Sequence, residues 1–195
     1  MNRFLSIGLE TLPAAVLLLL LFLLLGKPIF HSVRRTGWYL LLALYLAAAY
    51  LAVGLPTVTY LRFDPSISLI PLAGLAADGT NALLNVLLFV PLGAFLPLLW
   101  EGFRSVRRTI LFGFSLSLFI EVLQLFTFRA SDVNDLLTNT LGTALGYSLA
   151  AFLLKHAPAR FPADGESRDL PLVFGAVFLV MSVLSPLLSS LPGSL

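Results

Sequence analysis

The sequence has no cysteine and few charged residues. The absence of cysteine from all 195 residues excludes a disulfide framework, a thiolate metal site and a cysteine nucleophile. Charged residues make up only 11% of the chain and apolar residues 58%, whereas a soluble domain has roughly 25% charged residues. This composition excludes a cytosolic globular enzyme and predicts an integral membrane protein.

The small excess of basic residues does not point to nucleic acid. The sequence pI is about 9.2, but the net charge is only +2. The basic residues also fall in short, separate loops rather than in one patch. Nucleic-acid binding is therefore not expected.

Continuous leucine-rich stretches predict an all-α fold, a polytopic bundle of about six transmembrane helices. Each stretch is close to the 20 residues that a helix needs to cross about 30 Å of hydrocarbon, and none shows the two-residue alternation of a membrane barrel. The first stretch is interpreted as a retained helix, since no cleavage site precedes Lys27. The predicted spans are Leu9–Leu25, Trp38–Leu55, Asn81–Trp100, Thr109–Phe128, Leu136–Leu154 and Pro171–Leu191.

The basic residues between the spans predict the orientation of the chain. Nine lie in alternate loops and only three on the opposite side. Because cytoplasmic loops are enriched in lysine and arginine, both termini are predicted to be extracytoplasmic. The nine residues are Lys27, Arg34, Arg35, Arg104, Arg107, Arg108, Lys155, Arg160 and Arg168, and the three are Arg3, Arg62 and Arg129.

The fourth span contains the one acid that lies well inside a predicted helix. Ser117, Glu121 and Gln124 follow a spacing of four and three residues, which places them on one helix face. A carboxyl group in hydrocarbon is costly and usually functional, so Glu121 is a candidate acid, base or ligand. The alternative is an interhelical hydrogen bond that only fixes packing.

A second polar group follows at the start of the fifth span. Asp132, Asp135 and Asn139 form a stripe that continues to two glycines, Gly142 and Gly146. Ser131 or Asp132 is the candidate N-cap, Asp132 is also a candidate ligand, and Asp135 is expected to point into the bundle. The Gly142-x-x-x-Gly146 pattern predicts close packing against a neighbouring helix.

Under the predicted topology these side chains meet in the outer leaflet and form a polar pocket that opens away from the cytoplasm. Arg129 either extends to the interface or neutralises the acids and holds an anionic group. No zinc site is expected, because His31 and His156 lie in the opposite loops, although oxygen ligands from the acids leave magnesium or calcium as an alternative. Glu121 and Asp135 are the candidate catalytic residues, and the candidate binding residues are Asn85, Gln124, Arg129, Asp132 and Asn139.

Two blocks of the sequence resemble the VanZ-like family. The first block comprises Phe119-Ile-Glu121-Val-Leu-Gln124 and, after a short gap, Asp132-Val-Asn-Asp135-Leu-Leu-Thr-Asn139 with the residues up to Tyr147. The second block extends from Asn85 to Gly93. Upstream, Ser68-Leu-Ile-Pro71-Leu72 is similar to the family's N-L-x-P-F element, with serine in place of asparagine and leucine in place of phenylalanine. The resemblance implies a VanZ-like core over residues 38–195, and residues 1–37 are predicted to add an N-terminal helix and a basic cytoplasmic loop.

The resemblance implies a multi-pass protein of the bacterial plasma membrane with a role in the cell envelope. The family's founding members confer low-level resistance to the glycopeptide teicoplanin, so reduced susceptibility to glycopeptides and lipoglycopeptides is expected. The pocket would bind the drug or a lipid-linked wall component, and a membrane lipid or lipid-linked amphiphile is the predicted partner. No cofactor is predicted.

Two other functions fit the same residues. The protein could be a hydrolase or transferase that acts on a lipid phosphate or lipid-linked sugar, with Glu121 or Asp135 as acid–base and Arg129 as phosphate clamp. It could also be a scaffold without a ligand, whose polar stripe only specifies helix packing.

Overall fold

A computed structural model describes residues 3–63, 66–68, 70, 79–127, 131–157, 161 and 164–190, and of residues 3–12 and 25 it describes only the backbone. Apart from two strands of two residues each, the regular secondary structure of the described residues is helical, so the predicted all-α class is confirmed. The elements are α1 (Arg3–Phe30), α2 (Val33–Val53), β1 (Ile67–Ser68), α3 (Gly79–Leu99), a 3₁₀ turn (Glu101–Arg104), α4 (Val106–Gln124), β2 (Ser131–Asp132), α5 (Val133–His156), α6 (Asp169–Leu179), a π-helical turn (Val180–Leu184) and α7 (Ser185–Ser189).

The helices lie where the apolar stretches predict them, with ends that differ by up to six residues from the predicted ones. Helix α1 continues to Phe30 and is followed by His31 in the left-handed region (φ 55°) and by Ser32, the N-cap of α2. Helix α4 ends at Gln124, four residues before the predicted end. There the Thr127 hydroxyl donates to the carbonyl of Gln124 at 2.9 Å, which satisfies a terminal carbonyl and turns the chain.

Four helical segments are long and apolar enough to cross a membrane. They are Val33–Val53, Gly79–Leu99, Val133–His156 and Asp169–Ser189, and α1 contains a shorter apolar helix, Pro13–Leu24. With the composition, these helices identify an integral membrane protein.

The chain divides into two compact units. The first comprises residues 1–61 and 167–195, and the second comprises residues 62–166. In the first unit, helices α1, α2 and α6 pack through aromatic rings, among them the T-shaped contact of Phe30 with Tyr39, whose centroids lie 4.8 Å apart.

A buried acid joins α2 and α6 in the first unit. Asp169 is fully buried and accepts a hydrogen bond from the Tyr39 hydroxyl at 2.8 Å. Its Oδ2 also lies 3.5 Å from Arg35 Nη1, which forms an ion pair across the two helices. Arg35 therefore has a partner inside the protein and is not only a marker of orientation.

In the second unit, α3 and α5 pack backbone against backbone. A Cβ atom on Gly142 would collide with the carbonyl oxygen of Val86, and one on Gly146 with that of Val90. On the facing helix, Gly93 leaves no room for a Cβ beside the backbone of Thr143. The packing role predicted for the Gly142-x-x-x-Gly146 pattern is thus confirmed.

Candidate functional site

The site lies in the second unit, where α4 ends and α5 begins. Ser117, Glu121 and Gln124 are all buried, so the predicted common face of α4 is confirmed as the inward face. Glu121 Oε2 accepts hydrogen bonds from the hydroxyl of Ser131 at 2.8 Å and from the backbone N–H of Asp132 at 2.9 Å. One oxygen of the carboxylate thus ties α4 to the segment that enters α5.

Asp132 is the N-cap of α5. Its Oδ1 accepts a hydrogen bond from the N–H of Asn134 at 2.9 Å, and its backbone is extended (φ −129°, ψ 127°). The interpretation of Asp132 as a cap is confirmed. Asp135 follows in the first turn and is half-buried, and both acids interact electrostatically with the Glu121 carboxylate.

A second hydrogen bond joins the two helices deeper in the unit. The side-chain amide of Asn139 donates from Nδ2 to the hydroxyl of Ser117 at 2.9 Å. Ser117 lies one turn before Glu121, and Asn139 lies one turn after Asp135. The polar contacts of α4 and α5 therefore run along one seam.

Glu121 and Asn139 each have an oxygen atom on this seam that is buried without a hydrogen bond among the described residues. Glu121 is 6% exposed and Asn139 is 3% exposed. Neither Glu121 Oε1 nor Asn139 Oδ1 receives a hydrogen bond from any residue that the structure describes. A buried acceptor without a donor costs about 1–3 kcal/mol, so each of these atoms is expected to have a donor that the described residues do not supply.

The long segment between α2 and α3 contributes backbone to the site. Strand β1 pairs with β2 in parallel, with Ile67 opposite Ser131 and Ser68 opposite Asp132. The N–H of Ser131 donates to the carbonyl of Ser66 at 3.0 Å. Because this pairing uses main-chain atoms, it does not depend on whether serine or asparagine stands at position 68.

The remaining predicted site residues differ in where they lie. Gln124 is buried on the face of Glu121, whereas Asn85 is half-buried on α3 and has no hydrogen bond to this seam among the described residues. Arg129 lies outside the described residues. Neither of two cavities, one beside Tyr147 and one beside Tyr50, includes any of the predicted site residues.

The geometry does not support the alternative of a bound divalent cation. Among the residues that the structure describes, no three His, Cys, Asp or Glu side chains are grouped so that they could hold a metal ion. One oxygen of Asp132 accepts the capping hydrogen bond from the N–H of Asn134. One oxygen of Glu121 accepts the hydrogen bonds from Ser131 and Asp132.

Sequence reasoning missed the role of Ser131. This residue stands next to the cap and is itself a good capping residue, so the sequence favours a local role for it. Only the structure shows that its hydroxyl donates to an acid ten residues earlier. A short polar side chain between two helices is the signal that could have indicated such a contact.

Comparison with known proteins gives two similarities. A family model described as VanZ/LLP1 matches residues 11–154 of the chain. Protein VanZ from Enterococcus faecium is 31% identical over 103 residues, which cover 51% of this chain and 58% of that protein. The chain therefore spans little more than half the length of this relative. No solved structure matches the chain.

Proposed function

The chain belongs to the VanZ/LLP1 family, and from this premise we propose that it is a plasma-membrane protein of the cell envelope that lowers susceptibility to teicoplanin and related glycopeptides. The resemblance of the sequence to VanZ supports the envelope role. The observation that carries the proposal is the buried acceptor Glu121 Oε1, beside the seam of Ser117 and Asn139.

The carboxylate of Glu121 would have two tasks. Its Oε2 holds the entry to α5, so it fixes the position of the side chain. Its Oε1 would accept a hydrogen bond from a ligand, and Asn139 Oδ1 would accept another. A glycopeptide and a lipid-linked wall component both present N–H or O–H donors together with an apolar part, which suits a site of few polar groups in an apolar surrounding.

The proposed topology has six membrane crossings and two extracytoplasmic termini, with the Glu121 site near the outer surface. In addition to the four apolar segments, α4 has 19 residues and would span about 28 Å, close to the hydrocarbon thickness. The polar side chains of α4 are buried at Ser117, Glu121 and Gln124, which would keep them from lipid. The distribution of nine and three basic residues supports this orientation.

The orientation can be tested by labelling, because a chain without cysteine has no background. Ser66 adjoins the β1–β2 pair and Ser105 precedes α4, and both side chains are exposed. A membrane-impermeant maleimide is expected to label Ser66→Cys in intact cells and Ser105→Cys only after the membrane is opened. Labelling of Ser105→Cys alone in intact cells would place the Glu121 site at the cytoplasmic side and overturn the proposal.

The role of Glu121 can be tested by Glu121→Gln. The glutamine oxygen can still accept from Ser131 and Asp132, so the tie to α5 is kept, but an NH₂ donor replaces the acceptor Oε1. Ligand binding is expected to weaken by about 5- to 150-fold, the equivalent of one buried hydrogen bond. Cells that carry Glu121→Gln should therefore be as susceptible to teicoplanin as cells without the protein, at equal membrane abundance.

Two comparisons make this experiment decisive. Glu101→Gln removes an exposed carboxylate in the 3₁₀ turn of the same unit and is expected to leave susceptibility unchanged. Glu121→Ala removes both the tie and the acceptor. Full protection by Glu121→Gln and loss of protection with Glu121→Ala would show that Glu121 serves packing alone.

A measurement of turnover distinguishes the enzymatic alternative from ligand binding. Glu121 and Asp135 lie close enough to interact electrostatically, which is compatible with a pair of acid–base groups. Purified protein that converts labelled lipid phosphates or lipid-linked sugars to product, with loss of product formation in Glu121→Gln, would favour this function over binding.

A further inference from the structure

The first unit contains a cavity of about 500 Å³ between the C-terminal end of α2, the residues that follow it, and α7. This volume lies within the range of about 300–1,000 Å³ that is typical of small-molecule sites. Seven of the residues that line it carry a hydroxyl group, and none of the lining residues that the structure describes is charged. The apolar part of the lining includes Leu51, Leu55 and Met181.

The helical segment that forms one wall is interrupted by the π-helical turn between α6 and α7, and Pro186 is the cause. Pro186 has no N–H, so the carbonyl of Ser182, four residues earlier, has no α-helical donor. The chain responds with the π-helical turn, in which the N–H of Ser185 donates to the carbonyl of Val180. Such π-bulges are frequent at functional sites.

The released carbonyl holds the opposite wall in place. Ser182 accepts a hydrogen bond from the N–H of Val58 at 2.9 Å. The Tyr50 hydroxyl bonds to the Ser182 hydroxyl at 2.9 Å and donates to the carbonyl of Pro56. The segment after α2 is thereby attached to the π-helical turn, so both walls of the cavity are fixed by the protein itself.

The hydroxyl groups at the mouth of the cavity are arranged as acceptors. Ser189 donates its hydrogen to the carbonyl of Ser185 at 3.0 Å, and Ser190 donates to that of Leu187 at 2.8 Å. Once its hydrogen is committed, a hydroxyl oxygen still offers lone pairs to a donor. On the other wall, the hydroxyls of Thr57 and Thr59 bond to each other at 3.1 Å.

These features select the ligand by charge and by hydrogen bonding. A phosphate or an ammonium group would lose its hydration here without an opposite charge among the described lining residues, which is strongly unfavourable. A sugar offers many O–H donors and no charge, and it matches a cavity of neutral acceptors. The exposed side chains of Val58, Tyr60 and Leu61 on the same segment suit the interface between membrane and water, where tyrosine is enriched.

We propose that this cavity binds the neutral sugar headgroup of a glycosylated lipid. The apolar residues beside it would contact the first carbons of the lipid chains. This inference uses only residues of the first unit and does not rest on the function proposed for the Glu121 site.

The test is lipid binding by the full chain in nanodiscs, measured by native mass spectrometry. The probes are a diglucosyl diacylglycerol, the diacylglycerol without sugar, and a phosphatidylglycerol, all with the same acyl chains. The glycosylated lipid is expected to bind about tenfold or more tightly than either of the others. Equal binding of all three, or preference for the anionic lipid, would overturn the proposal.

The double variant Thr59→Val with Ser189→Ala locates the site. Both side chains are exposed, so folding should be kept, and an unchanged Tm verifies this. Loss of two neutral hydrogen bonds of about 1 kcal/mol each corresponds to roughly thirtyfold weaker binding of the glycosylated lipid, with the other two lipids unaffected. Ser148→Ala removes an exposed hydroxyl that bonds only to the carbonyl of Ala144 and is the matched control. Unchanged sugar-lipid binding by the double variant would show that the cavity is not the site.

Discussion

Gly146→Ala is expected to lower the free energy of unfolding by about 3 kcal/mol, because the new methyl group has no room between α3 and α5. Its Cβ would meet the carbonyl oxygen of Val90 and would lie 2.8 Å from the N of Ala94 and 2.9 Å from the Cα of Gly93. These are backbone atoms, so no side chain can rotate away, and the two helices would have to separate. The measurement is reversible denaturation in detergent, with the Tm as a second readout.

The control for this prediction is Gly175→Ala in α6. A Cβ at position 175 would meet no atom within 4 Å. Alanine is the better helix former by about 1 kcal/mol, so this variant should be as stable as the parent protein or slightly more stable. If the two variants lowered stability equally, the close approach at Gly146 could not be what holds α3 to α5.

Asp169→Ala is expected to lower the free energy of unfolding by about 3–5 kcal/mol, because it removes the buried carboxylate that pairs with Arg35 across α2 and α6. The same change removes the acceptor of the Tyr39 hydroxyl. Asp169→Asn keeps an acceptor for Tyr39 but not the charge, so its loss of stability should be intermediate. The free energy of unfolding of each variant is the quantity to compare.

Replacement of both charged partners distinguishes the contribution of the ion pair to stability from the contribution of packing. A buried pair contributes little net stability relative to apolar side chains of similar volume. Arg35→Met combined with Asp169→Leu should therefore recover most of the stability that Asp169→Ala loses. A double variant as unstable as Asp169→Ala would mean that the unpaired charge of Arg35 is not the cause of the lost stability.

Much of the candidate site could be predicted from spacing alone. The four- and three-residue steps of Ser117, Glu121 and Gln124 fix a common helix face, because a helix turns once in 3.6 residues. That face is buried, as the polarity of its residues in an apolar helix predicts. Spacing gives a direction around one helix, however, and it does not say which atom of a neighbouring element stands opposite.

The partner of Glu121 illustrates this limit. Its carboxylate meets the Ser131 hydroxyl and the Asp132 N–H, and the choice depends on where the chain turns after Gln124. The sequence predicted that α4 would continue to Phe128, which would have moved this turn. The predicted roles in binding or catalysis stay predictions for all seven candidate residues, which are Asn85, Glu121, Gln124, Arg129, Asp132, Asp135 and Asn139.

That this is a helical membrane protein follows from composition and from the apolar spans, because charged side chains are costly in hydrocarbon and are therefore rare in the chain and in each span. The close packing at Gly142 and Gly146 and a cap at Ser131 or Asp132 were also predictable, since small residues at one-turn spacing and a short polar residue before a helix act through local geometry. Two contacts are visible only in the folded chain: Asp169 pairs with Arg35, 134 residues earlier, and the carbonyl of Ser182 accepts a hydrogen bond from the segment after α2. These contacts arise between distant parts of the chain, where the position of each helix against its neighbours, and not its own periodicity, selects the partner.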